Sequence, residues 1–302
     1  MKATTRDTVG VAVQPADTFR RLIGSALSAQ EAWALFFLTP FLIVFVLFVV
    51  YPVGYALYLG TDFSVYRRVL ADPLYLQSLW NTFVFILFGV GLKMLLALAL
   101  SSLLVLPGRG MRVVNVLFIL PWVVPQIPSI FSIRWMLNSE WGMINNLLFA
   151  VFRIDGPAWL TNPRYAMGSI IALHIWKYLP FWTMIIVAAR MAIPKDLYEA
   201  ARIDGASSFD QFRHVTFPSI ATVFVTSTML SAIWSLGDFN SIYLLTGGGP
   251  MDRTNTLATL GIRFAFNQAD SRGGVVTMIS ALPLLLPLII VLMRRLGRPA
   301  HA

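Results

Sequence analysis

From Trp33 to Tyr58 the chain runs without one charged side chain. Further apolar stretches cover Asn81–Leu106, Val113–Ile133, Ala166–Ala189, Ile220–Leu245 and Val275–Met293. Each is long enough to cross a hydrocarbon layer as a helix, which takes about 20 residues. Helices are expected because they satisfy their own backbone groups in lipid. The period-two alternation of a membrane barrel is absent. Of the 302 residues 57% are hydrophobic and 12% charged, about half the charged share usual in a soluble domain. No soluble fold of this length hides so much apolar surface. A soluble enzyme, a disordered regulator and a fibrous protein are excluded. The fold class expected is an all-α polytopic membrane protein with six transmembrane helices.

Residues 1–32 form an N-terminal tail in this reading, with a short interfacial helix over Phe19–Glu31 that sets Arg20 and Arg21 near lipid phosphates. The membrane domain covers 33–293, and 294–302 form a second tail. The first apolar stretch is too long for a cleaved signal peptide and reads as an uncleaved anchor. Six spans put both termini on one side. The net charge of +9 is read as cations flanking spans on the cytoplasmic face rather than as a nucleic-acid surface. Arg109, Arg112, Arg190, Lys195, Arg202, Arg213 and Arg294 then lie inside, so both termini are expected in the cytoplasm. The absence of cysteine removes disulfides and thiolate sites.

The segment 190–219 is the most informative loop. Pro194 suits the first position of a helix, and Leu197, Ala200, Ala201 and Ile203 give it a mostly apolar face. Gly205 suits the left-handed stop that ends such a helix. Ser208 and Gln211 have capping-box spacing and would open a second helix, which Pro218 would end. Two short helices meeting at a glycine between two spans fit a loop lying on the lipid surface or a docking knob for a cytoplasmic partner. A DNA-binding helix pair is poorly served by such short tethers.

The string Glu199-Ala200-Ala201-Arg-Ile-Asp204-Gly205, followed by Phe217-Pro218, resembles the EAA motif of binding-protein-dependent ABC importer permeases. Trp234 through Pro250, ending Leu-Leu-Thr-Gly-Gly-Gly-Pro, is similar to the fifth-span ending of the carbohydrate branch, of the MalF and UgpA type. Leu120-Pro121-Trp122, Trp176 to Trp182, and Asp72-Pro73 with Asn81-Thr82 also match. The resemblance implies a permease subunit in a prokaryotic cell membrane, without ATPase activity. It pairs with a second, different permease, two ATP-binding subunits that hold ATP and magnesium, and an extracytoplasmic solute-binding protein that delivers a sugar. Glu199, Ala200, Ala201, Asp204 and Gly205 would then fit a groove on the ATPase and carry its motion into the membrane. No phosphate-cradling G-x-x-x-x-G-K-[ST] loop is present in this chain. Gly247-Gly248-Gly249-Pro250 reads instead as a tight bend.

Intramembrane charge is costly and needs an explanation. Lys93 is expected to meet a carbonyl or carboxylate inside the bundle. Lys177 and Asp238 would pair with each other or face a watery pathway. Ser231, Trp234, Ser235 and Asp238 recur at helical spacing, a polar and aromatic face that suits sugar hydroxyls and ring stacking, or simply core packing. By resemblance these four, with Lys177, Tyr178 and Phe181, line the solute path. Pro121, Pro125 and Pro128 bend or hinge the third span. His174 and His214 look isolated and are read as structural. No metal-ligating or catalytic residues are expected, since no carboxylate pair, ligand cluster or activated nucleophile converges. Two alternatives stay open: a permease for anionic solutes of the glycerol-phosphate kind, favoured by Lys177, and an ion-coupled secondary carrier using Asp238 and Lys177.

Overall fold

The computed structural model describes residues 29–283 together with 286, 287 and 290. The interfacial helix expected over 19–31 lies outside them up to residue 28, as do most of the sixth apolar stretch and the tail 294–302. The chain divides into two compact units, one reaching Tyr58 and one starting at Leu59. In the first, helix α1 (Trp33–Leu59) is uncharged and apolar on all sides, the pattern of a helix in an apolar surround.

Among the described residues the regular elements of the second unit are all helices. Helix α2 (Phe63–Leu70) is N-capped by Asp62, which accepts from Ser64 N. Asp72 caps α3 (Pro73–Leu104) in the same way, with proline in the first turn. Then come α4 (Arg109–Val123), α5 (Gln126–Met136), α6 (Met143–Phe152) and α7 (Pro163–Met191). They are followed by α8 (Lys195–Ile203), α9 (Ser208–Leu236), α10 (Phe239–Thr246), α11 (Leu257–Ile262) and α12 (Ser271–Ile279). Among the described residues four helices, α1, α3, α7 and α9, are long and apolar enough to cross a membrane, or five spans if α4 and α5 together count as one.

α7 packs against α3, α4 and α9. Val90, Met94 and Ala97 of α3, Trp182 and Ile186 of α7, and Ile220 and Ala232 of α9 form its core. A second cluster joins α2, α11 and α12 through Val69, Leu260 and Val276. Polar side chains are buried here while Leu76, Leu95 and Leu103 are exposed, the inversion expected where the solvent is lipid. Buried hydroxyls are satisfied within their own helices: Thr82 donates to Ser78 O at 2.7 Å and Thr183 to Leu179 O at 2.7 Å. Asn81 and Thr82 also tie α3 to the loop before α11, through Asn255 O at 2.8 Å and Leu257 N at 2.9 Å.

Five local expectations are corrected. The third span is two helices, α4 and α5, meeting at 92°. Pro125 disfavours helical backbone at Val124, and both residues are extended, with ψ of 135° and 143°. Pro218 does not end the loop's second helix, which runs on from Ser208 to Leu236. A π turn over Phe212–Thr216 precedes it, with Phe217 N bonding Phe212 O. That wider turn accommodates the missing proline donor. The cap of α9 is Ser207 with Asp210 rather than Ser208 with Gln211, and Pro194 is the cap of α8 rather than its first residue. The fifth apolar stretch breaks at Gly237, so α10 starts anew. It ends at Gly247, whose φ of 65° places it in the left-handed region, where only glycine sits without strain.

Candidate functional site

The break between α9 and α10 makes the site. Asp238 leaves the face of α9 and becomes the cap of α10, its Oδ1 accepting from Ser241 N at 3.1 Å. It still faces the same space as Ser231, Trp234 and Ser235. These four line a cavity of about 290 Å³ with Lys93, Gln126, His174 and Tyr178. The fifth-span pattern read from sequence therefore converges on one place, though not as one continuous helix face.

A buried chain of polar groups crosses the cavity wall. Lys93 Nζ lies 2.8 Å from His174 Nε2, and His174 Nδ1 lies 3.1 Å from Asp238 Oδ2. The Lys93 ammonium only donates, so Nε2 accepts from it and Nδ1–H donates to the carboxylate. Ser235 Oγ, already donating to Ser231 O at 2.7 Å, also approaches Nε2 at 3.1 Å. Lys93 sits 5.6 Å from the Tyr178 ring centre, a favourable cation–ring arrangement. Lys93, His174 and Asp238 are all buried. Lys93 thus meets an imidazole rather than the carbonyl or carboxylate expected for it. His174 is not isolated. It holds the two charges together, and its place at spacing three, one and three with Lys177, Tyr178 and Phe181 was the available clue. Gln126 and Asn240, which also line the cavity, carry no such pattern. Gln126 Nε2 reaches Asp238 Oδ1 at 3.5 Å, and Asn240 Nδ2 reaches Gln126 Oε1 at 3.4 Å.

Aromatic rings form the other wall. Phe181 stacks on Trp122 at 5.0 Å and on Trp234 at 6.0 Å, while Trp182 meets Trp234 at 5.5 Å. Phe181 supports the cavity from behind and does not line it.

Lys177 stands elsewhere. Its ammonium donates to Pro121 O at 2.8 Å, to Trp122 O at 3.2 Å and to Val124 O. These carbonyls belong to the last turn of α4, where helix partners run out. Pro125 has no N–H for Pro121 O. A lysine with three donors satisfies all three oxygens. Lys177 is a clasp on the broken helix, neither paired with Asp238 nor lining the cavity.

The loop residues form a separate, contiguous group. α8 ends at Ile203, and Gly205 has φ of 77°. Gly205 N bonds Arg202 O at 3.1 Å and Ala206 N bonds Ala201 O at 2.9 Å, the paired bonds of a Schellman stop. Glu199, Ala200, Asp204 and Gly205 are exposed and Ala201 is half-buried. Ile203 and Phe209 are 87% and 68% exposed. Tyr198 faces inward and bonds Thr216 at 2.9 Å, so α8 is pinned to the start of α9.

Comparison with known proteins places the chain. Residues 96–299 match the model for "Binding-protein-dependent transport system inner membrane component". A trehalose/maltose transport system permease protein, MalF, of Thermococcus litoralis is 34% identical over 74% of this chain and 74% of its own length. A sulfoquinovosyl glycerol transport system permease protein, SmoG, of Agrobacterium fabrum is 29% identical over 74% of this chain and 77% of its own. The fold resembles a chain in the crystal structure of a bacterial ABC transporter that imports the acidic polysaccharide alginate, with a TM-score of 0.76 and 22% identity. That likeness covers 92% of this chain and all of the other. With the family match spanning more than half its length, on a membrane-helical fold, the chain belongs to the binding-protein-dependent transport system inner membrane components.

Proposed function

We propose that this chain is one of two different permease subunits of a sugar importer, and that the cavity between α3, α7 and the α9–α10 break is its solute site. The observation that carries the reading is a polar cavity faced by indole and phenol rings inside apolar helices. Sugar hydroxyls need donors and acceptors, and pyranose C–H faces stack on rings. The names of relatives that transport trehalose, maltose or a sulfoquinovosyl glycerol support the solute class. The alginate transporter solved with its periplasmic protein supports a solute-binding partner outside.

The chain itself is the non-catalytic component. Two ATP-binding subunits holding ATP and magnesium would sit on the cytoplasmic side, against Glu199, Ala200, Ala201, Asp204 and Gly205. Six spans with both termini in the cytoplasm of a prokaryotic cell membrane fit this arrangement. ATP-driven closure of those subunits would move α8, and the clasped α4–α5 break and the α9–α10 break would transmit the shift to the cavity. The two ATPase states must bind the loop's two positions with unequal free energy, otherwise nothing is driven. An ion-coupled carrier is not favoured, because the chain belongs to a binding-protein-dependent transport family and the Lys177–Asp238 relay that it would have used is not formed, Lys177 being committed to carbonyls. The test is reconstitution in liposomes with the other subunits and the binding protein. Sugar uptake should require ATP and fail when Trp234 is replaced by alanine. Uptake by this chain alone, or driven by an ion gradient without ATP, would overturn the proposal.

A further inference from the structure

We infer that the solute accepted by this cavity is an uncharged sugar, because the two charged side chains that line it among the described residues, Lys93 and Asp238, neutralise each other through His174. This rests on the cavity being the solute site, as proposed above.

The relatives leave the question open, since their names include both neutral disaccharides and an anionic sulfonate sugar. The charge arrangement decides it here. Lys93 is buried and already donates to His174 Nε2 at 2.8 Å. Asp238, also buried, accepts from His174 Nδ1 at 3.1 Å. The two charges cancel within one hydrogen-bonded chain, so neither is left to hold a free ion. Lys177, the cation that sequence would offer to an anion, spends its donors on the α4 carbonyls. An anionic solute entering this space would lose its water and find no uncompensated cation, and it would lie against the Asp238 carboxylate. A neutral polyol meets neither cost.

What remains free is suited to hydroxyls. Ser231 is one of the lining residues, and its Oγ is buried with no hydrogen-bond partner. A buried hydroxyl is costly unless something completes it. A sugar hydroxyl is the group that both donates and accepts there. Gln126 and Asn240 add amide donors and acceptors at long mutual range, 3.4 Å, easily given up to a ligand. Trp234, 53% exposed, offers a ring face.

The experiment uses the assembled transporter in detergent without its binding protein, so that the permease alone selects. Binding is measured by saturation-transfer NMR for glucose, maltose, trehalose, cellobiose and lactose, each beside its uronate or 6-phosphate counterpart. A neutral member should bind, and its anionic counterpart should bind at least about tenfold more weakly, the scale of a lost charge-assisted contact. Asp238→Asn should bring the two affinities together, and Lys93→Met should drive them further apart. A purely structural role would move both variants the same way. Ser231→Ala should weaken the neutral sugar. If the anionic member binds as well as its neutral partner in the parent protein, the inference fails and the solute-site proposal stands. If no sugar binds, or if binding ignores Ser231 and Trp234, both fail together.

Discussion

The cavity and the α8 loop are built on opposite plans. The loop's distinctive groups, Glu199 to Gly205, are contiguous, largely exposed and held by local devices: a Schellman stop at Gly205 and a capping box at Ser207 and Asp210. The cavity draws on residues from Lys93 to Asn240, and its charges are buried and bonded across more than sixty positions of sequence. In the proposed reading the loop is a docking surface, which would need a rigid shape that survives without its partner, and local bonds supply that. The cavity, proposed to hold solute within apolar helices, would need its electrostatics settled before solute arrives, and only tertiary contacts do so.

The contrast is broken most severely at Lys177. Lys177→Met strips the ammonium from three carbonyls at the end of α4, at a cost of about 1–3 kcal/mol. The purified complex should lose several degrees of thermal midpoint in a fluorescence melt, and Lys177→Arg should recover part of it. If Lys177→Met melts with the parent, the clasp carries no weight. The loop predicts the reverse pattern. Gly205→Leu meets open space but forces a side chain into left-handed backbone, a cost of about 1–2 kcal/mol. Folding should survive, while ATP-driven uptake and capture of the ATP-binding subunits in pull-down should be lost. Normal uptake would show that the loop is not the handle.

Smaller effects sharpen the picture. Ser231→Ala removes a buried hydroxyl that lacks a partner, so stability should hold or rise by up to about 1 kcal/mol while sugar affinity falls. A coupled loss of both, read from melts and binding, would place Ser231 in the packing instead. The weakest effect is expected at the exposed cap of α2. The Ser64 hydroxyl and N–H beside Asp62, with Arg272 adding to them at 3.2 Å, hold its carboxyl below the usual carboxylate range. A depressed carboxylate contributes stability above its unfolded pKa of about 3.9 and loses it as pH falls through the folded value. The protection of the Phe63–Leu70 amides, taken as the ratio of intrinsic to observed exchange at each pH, should therefore be flat from pH 7 to about 5 and fall only in stronger acid. Asp62→Ala should lower that protection at neutral pH.

Much of the loop was legible because its causes are local. A glycine after an apolar run stops a helix through bonds spanning six residues, and the structure put that stop where the sequence pointed. The errors there were shifts of one residue, at Ser207 and Pro194, since neighbouring serines or neighbouring helix-start positions compete on nearly equal terms. Pro218 misled for a different reason: a π turn upstream absorbed the lost bond, and nothing in the local pattern announces such a turn. At the cavity, Ser231, Trp234, Ser235 and Asp238 stood out as polar groups in an apolar run. Their partners did not. His174 looked solitary in a list of residues and proved to be the link between two charges.

Sequence alone determined that the chain is a membrane-helical protein, roughly where its long apolar helices lie, and which short loop carries a rigid turn. Those properties follow from hydropathy and from bonds between near neighbours. Only the tertiary structure decided where each buried charge went. It sent Lys177 to the carbonyls of a broken helix, and it joined Lys93 to Asp238 through an imidazole. Electrostatic compensation depends on distance in space, and no spacing along the chain encodes which of several cations a given carboxylate will meet.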